Sequence, residues 1–140
     1  MTELTSDRAE MSRRKGSCLC GAVRFEFEPT GPVLHCHCEN CRHVTGNFIA
    51  AIRCVTADMT LEDPGDALRW FELDYAKYGF CSSCGSTLFF VAAATPETTS
   101  VATGSLDDAS GLELGAIWFA DEAQEHNVLA SGVPHHDGNG

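Results

Sequence analysis

The clearest pattern along the chain is at Ala22 to Glu28, where Val23, Phe25 and Phe27 face one way and Arg24, Glu26 and Glu28 the other. Strict alternation of this kind predicts a strand with one buried face. Pro29-Thr30-Gly31-Pro32 is predicted to turn the chain, and Val33-Leu34-His35 to continue as a short extended piece. Phe48 to Val55 is apolar enough for a second, more deeply buried strand, with Cys54 inside it as a small core residue. Asp63-Pro64-Gly65-Asp66 reads as another turn. The aromatic-rich stretch Leu68 to Phe80 predicts one or two strands, and Ser86 to Ala92, Ser100 to Thr103 and Ala116 to Phe119 predict further short ones. Helical periodicity is weak throughout. The expectation is a mostly β domain.

Seven of the eight cysteines lie at the ends of these runs, in three clusters. Cys18-Leu19-Cys20 precedes the first strand, Cys36-His37-Cys38-Glu39-Asn40-Cys41 follows His35, and Cys81-Ser82-Ser83-Cys84 follows Phe80. These are metal-ligand spacings, and Gly21 gives the first pair the freedom to fold round an ion. Counting suggests two zinc sites. The outer pairs, Cys18, Cys20, Cys81 and Cys84, make a complete four-ligand structural site, and Cys36, Cys38 and Cys41 leave one position open. Pairing Cys38 and Cys41 with Cys81 and Cys84 as a zinc ribbon is the competing arithmetic, but it strands Cys18, Cys20 and Cys36. Disulfides are the other use of so many cysteines.

Length and charge narrow the function. At 140 residues and 44% hydrophobic composition the chain is expected to form one domain, residues 16–131. A polar arm, Met1 to Lys15, precedes it and a frayed tail, Gly132 to Gly140, follows. The arm has no apolar run, so no export signal or membrane span is expected, and a reducing cytoplasm favours metal binding over disulfides. The formal charge is −11, and no Lys or Arg follows Lys77. Two zinc ions on seven thiolates would take the total to about −14. Such a body repels phosphate backbones, so nucleic acid is not an expected partner. A small thiol or aldehyde is, and a homodimer is left open.

The ordered motifs Gly16-Ser17-Cys18-Leu19-Cys20-Gly21, His35-Cys36-His37-Cys38 with Cys41-Arg42 and Thr45-Gly46, Gly79-Phe80-Cys81 with Cys84-Gly85, and Gly104-Ser105-Leu106-Asp107 resemble the glutathione-dependent formaldehyde-activating enzyme family, which also contains centromere protein V. The resemblance implies a β-tent fold of short antiparallel sheets tied together by zinc knuckles. It implies a structural zinc on Cys18, Cys20, Cys81 and Cys84 and a second on Cys36, Cys38 and Cys41, in agreement with the counting. Ala116 stands before Ile117-Trp118 where many members carry His.

The chemistry the resemblance implies is a carbon–sulfur lyase reaction, joining glutathione, as co-substrate, to formaldehyde or releasing it. A soft, thiolate-rich site suits an incoming sulfur better than it suits hydroxide attack. Arg42 is the candidate grip for a substrate carboxylate, with a surface ion pair to Glu39 or another local acid as its plainer use. The contrasting reading is a binding or scaffold module in which both zincs are structural, His35, His37 or His43 closing the central one. His43 is placed better for this than His37, which sits between two cysteines. Asp107 and Asp108 read as turn residues, and His126, His135 and His136 need no role.

Overall fold

The computed structural model describes residues 13–138. Almost all of the expected arm, together with Asn139 and Gly140, lies outside the described residues. The described elements are strands β1 (Arg14–Ser17), β2 (Arg24–Phe27) and β3 (Pro29–Cys36), helix α1 (Glu39–Thr45), and strands β4 (Ile49–Val55), β5 (Thr60–Glu62), β6 (Leu68–Glu72), β7 (Ala76–Cys81), β8 (Thr87–Ala92), β9 (Thr98–Ala102) and β10 (Leu114–Trp118). The domain is mostly β, as expected of a β-tent.

Two sheets form. One has three strands in the order β1-β2-β5, and the other seven in the order β10-β3-β4-β9-β8-β7-β6. Every pairing is antiparallel except β10 with β3. The alternation read at Ala22 to Glu28 has its predicted effect: Val23, Phe25 and Phe27 are buried and Arg24 is exposed. Each such burial is worth roughly 1.5–3 kcal/mol.

The seven-stranded sheet carries a different core on each face. On β4, Ala50, Ile52 and Cys54 pack with Val33, Leu88, Phe89 and Val101 under the Phe25 and Phe27 rings of the small sheet. Ile49 and Ala51, pointing the other way, pack with Cys41, Tyr78, Phe90 and Ala102. The first face is roofed by a second sheet. The second is roofed chiefly by the short α1.

Several elements depart from expectation. Pro29 to Pro32 is part of β3 and not a free turn. The register slips from Pro29↔Cys54 to Val33↔Ile52, and this bulge accommodates prolines that cannot donate to a ladder. Strand β1 reaches back into the expected arm because the bases there find partners. Arg13 lies 2.9 Å and Lys15 3.8 Å from Glu26, and Arg14 donates to the Asp108 carbonyl at 3.1 Å. The described part of the expected tail docks against β10: Ile117 N–H donates to Pro134 O and His136 N–H to Ile117 O, both at 2.9 Å. Cys54 is a core residue, 1% exposed, and burial together with Asp58 pushes its thiol up to about 11. Among the described residues no helix is long and apolar enough to cross a membrane.

Candidate metal centres

The structure divides the seven clustered cysteines as the counting did. The sulfurs of Cys18, Cys20, Cys81 and Cys84 form one group and those of Cys36, Cys38 and Cys41 another, each with its sulfurs within 4.8 Å of one another. No cysteine is in a disulfide, and the ribbon pairing across the two clusters is not formed.

The outer group is built by two knuckles. Gly21 N–H donates to Cys18 O at 3.1 Å and Gly85 N–H to Cys81 O at 2.7 Å. Both glycines sit in the left-handed region, at φ 80° and 83°, where a side chain would be strained. Cys18 and Cys81 are buried and Cys20 is exposed. The Sγ···Sγ distances are 3.6 Å for Cys18–Cys20 and 3.8 Å for Cys20–Cys81. Bonds of about 2.3 Å to a tetrahedral zinc put sulfurs about 3.8 Å apart, so this donor set fits such an ion.

Ser86, which no sequence motif singled out, fastens the two knuckles together. Its Oγ accepts from Leu19 N–H at 3.0 Å and lies 3.2 Å from Cys84 Sγ, to which it can donate. The hydroxyl and N–H of Ser86, with a backbone contact to Cys20, pull Cys84 down to about 5. Cys18 is raised by burial but lowered overall by Val23 N–H, 3.3 Å from its sulfur, and by the Cys20 and Cys81 thiols. Cys20 moves the other way. Ala22 N–H favours its thiolate, yet Cys18, desolvation and the other thiols outweigh that and push it up to about 11.

The central group lies on the opposite face of the large sheet. Cys36 ends β3, Cys38 caps α1 and Cys41 sits in its first turn, where Cys41 N–H donates to Cys38 Sγ at 3.4 Å. Glu122, in the 120–122 turn after β10, adds a second cap by accepting from Glu39 N–H at 3.1 Å. Gly46, at φ 89°, closes the helix with its N–H on Arg42 O at 2.8 Å. Cys41 is buried, and Cys36 and Cys38 are half-buried. Tyr78, also buried and likewise absent from the motifs, places its hydroxyl 3.1 Å from Cys41 Sγ.

The three central sulfurs compete for protons. Thiol hydrogen bonds from Cys36 and Cys41 hold Cys38 far below a normal thiol, while its interactions with Cys38 and Cys41, and burial, push Cys36 far above one. Cys41 is pulled down by Cys36 but pushed further up by Cys38 and by burial, to about 11. A bound dication is what would let all three ionise together at neutral pH, so the donor chemistry fits a metal.

No histidine joins the trio among the described residues. His37 is buried with its ring stacked on Phe48 at 4.6 Å, and His35 packs on the same ring at 4.7 Å. Burial lowers both, His35 further through the neighbouring charge of His37. His43 is exposed and lies 3.9 Å from Glu39. That leaves Arg42 without the expected Glu39 partner: it is half-buried, and its Nε is enclosed without a hydrogen bond. Asp107 and Asp108 are exposed turn residues; Ser110 holds the Asp108 carboxyl below its ordinary value. His126 contacts Gln124, and His135 lies 2.8 Å from Ala130 O.

Fold and site together define a mostly β domain with two cysteine groups able to hold metal, one of four sulfurs and one of three. The chain belongs to the glutathione-dependent formaldehyde-activating enzyme family, whose profile matches residues 13–121. A crystal structure of a protein from Rhodobacter sphaeroides has the same fold: it is 24% identical, with a TM-score of 0.60, over 86% of this chain and 98% of that one. No curated protein matches.

Proposed function

We propose that the protein is a cytoplasmic, zinc-dependent carbon–sulfur lyase that makes or breaks a small thiol adduct of the S-hydroxymethylglutathione type. Zinc on Cys36, Cys38 and Cys41 would supply an open position at which a substrate sulfur is held as thiolate, the reactive form. In the forming direction the sulfur bonds to the formaldehyde carbon, the carbonyl π pair moves to oxygen, and the proton given up by the thiol ends on that oxygen as the adduct's hydroxyl. The reverse reaction breaks the same carbon–sulfur bond.

The observation that carries this reading is a trio of thiols that no imidazole joins among the described residues, on the thinly roofed face of the sheet. Cys36 and Cys38 are accessible enough for a small ligand to approach. Trp118 pairs directly with Cys36 across β10 and β3, and the Phe48 ring with its two histidines is tied to the same rim through His37 N–H on Trp118 O at 3.1 Å. Arg42, one residue from Cys41 and half-buried, is the group we assign to the substrate carboxylate. Cys18, Cys20, Cys81 and Cys84 would hold the structural zinc.

The test is to load the protein with zinc, add glutathione and formaldehyde, and follow adduct formation by NMR exchange. Acceleration over buffer that disappears in Cys36→Ser is the expected result. A rate equal to buffer removes this substrate pair.

A further inference from the structure

Three thiolates around one dication leave the central site with a net charge of −1 and make the metal a weak electron acceptor. A hydrogen bond to one of the sulfurs would weaken that sulfur's donation and return some acceptor strength to the metal. We infer that Tyr78 is a positioning residue of the central site, donating its hydroxyl proton to Cys41 Sγ and setting how strongly that sulfur binds the metal. The inference rests on the proposed metal role of the trio.

Geometry carries it. Tyr78 is 3% exposed, and its hydroxyl ends 3.1 Å from Cys41 Sγ, short for a contact to sulfur. A ligating thiolate has no proton to give, so the tyrosine must be the donor. The ring cannot turn away easily: it packs against Phe90 with centroids 5.2 Å apart and lies in the cluster that includes Ile49 and Ala51. Buried tyrosine hydroxyls find a partner, and among the described residues the partner here is that sulfur. Both ends are held by regular structure, Tyr78 by the middle of β7 and Cys41 by the first turn of α1.

Cadmium NMR provides a readout that does not depend on turnover. Protein loaded with cadmium-113 should give two resonances, of which the central one is identified by its loss in Cys36→Ser. In Tyr78→Phe the central resonance should move by more than its width while the outer one stays in place, the latter showing that the fold is intact. Changed packing is separated from changed bonding by fluorotyrosine. The chain has only two tyrosines, so in a Tyr75→Phe background it labels Tyr78 alone. A stronger donor of nearly the same shape should move the central resonance opposite to the Phe variant. A central resonance that ignores both changes, or that moves the same way in both, overturns the role of Tyr78. If Cys36→Ser removes no resonance, the metal reading of the trio fails first and this inference falls with it.

Discussion

The two cysteine groups lie on opposite faces of one sheet and are finished in different ways. The outer group draws ligands from two knuckles 61 residues apart, packs Cys18 and Cys81 into the main core beneath a second sheet, and has four sulfurs. The central group draws on one stretch of six residues, is roofed by two turns of helix, and has three. Ligands brought from distant parts of a chain staple the fold, whereas local ligands on a thin roof do not have to. The difference teaches that a fourth sulfur and long-range cross-linking go together, and the proposed open site is the one the fold is expected to depend on less.

The largest expected effect follows directly. Cys81→Ser should abolish cooperative thermal unfolding and metal retention, because a fully buried sulfur of the proposed structural site is lost. Cys36→Ser should leave a folded protein with one zinc fewer, and its adduct-forming activity should drop to the buffer rate. Circular dichroism melting with metal analysis checks both, and equal damage from the two would break the comparison.

Acid should separate the groups next. Protons compete for ligand thiolates, and they compete best where the folded protein raises the thiol above its ordinary value. In the central group Cys36 and Cys41 are raised and Cys38 lowered; in the outer group Cys18 and Cys84 are lowered and Cys20 raised. As pH falls, the central metal should therefore leave at higher pH than the outer one. A zinc-sensitive dye should report two steps; a single step with one midpoint for both metals contradicts this.

Smaller effects sharpen the assignment of single residues. Arg42→Ala should raise KM for an anionic thiol about tenfold, a loss of about 1.4 kcal/mol in binding, with kcat little changed. Steady-state kinetics with glutathione and with an uncharged thiol tests it, the uncharged thiol showing no change. Ser86→Ala removes the acceptor of Leu19 N–H and the donor facing Cys84, and should cost about 1 kcal/mol in denaturant titration of the metal-loaded protein.

Much of this was legible in the chain, for identifiable reasons. Val23, Phe25 and Phe27 announce a strand because alternation needs no knowledge of the rest of the fold. The cysteine spacings announce the sites because metal ligands must lie close in space. Helix α1 was not legible: seven residues are too few to show a period, and Cys38 replaces the usual Ser, Thr, Asp or Asn at its start. Strands β1 and β5 have too few apolar residues to signal themselves and exist through pairing with β2. Ser86 and Tyr78 carry no motif. Each meets its sulfur only once β7 and β8 have folded beside the knuckles.

Strand β7 touches both groups. Tyr78 reaches the central trio from one side and Cys81 anchors the outer four from the other, three residues apart on a pleat that alternates sides. The stretch from Tyr78 to Cys81 is thus a gauge block between the two cysteine groups. One residue added within it would swing Cys81 to the wrong side, so a chain of this design can lengthen its loops freely but not this span.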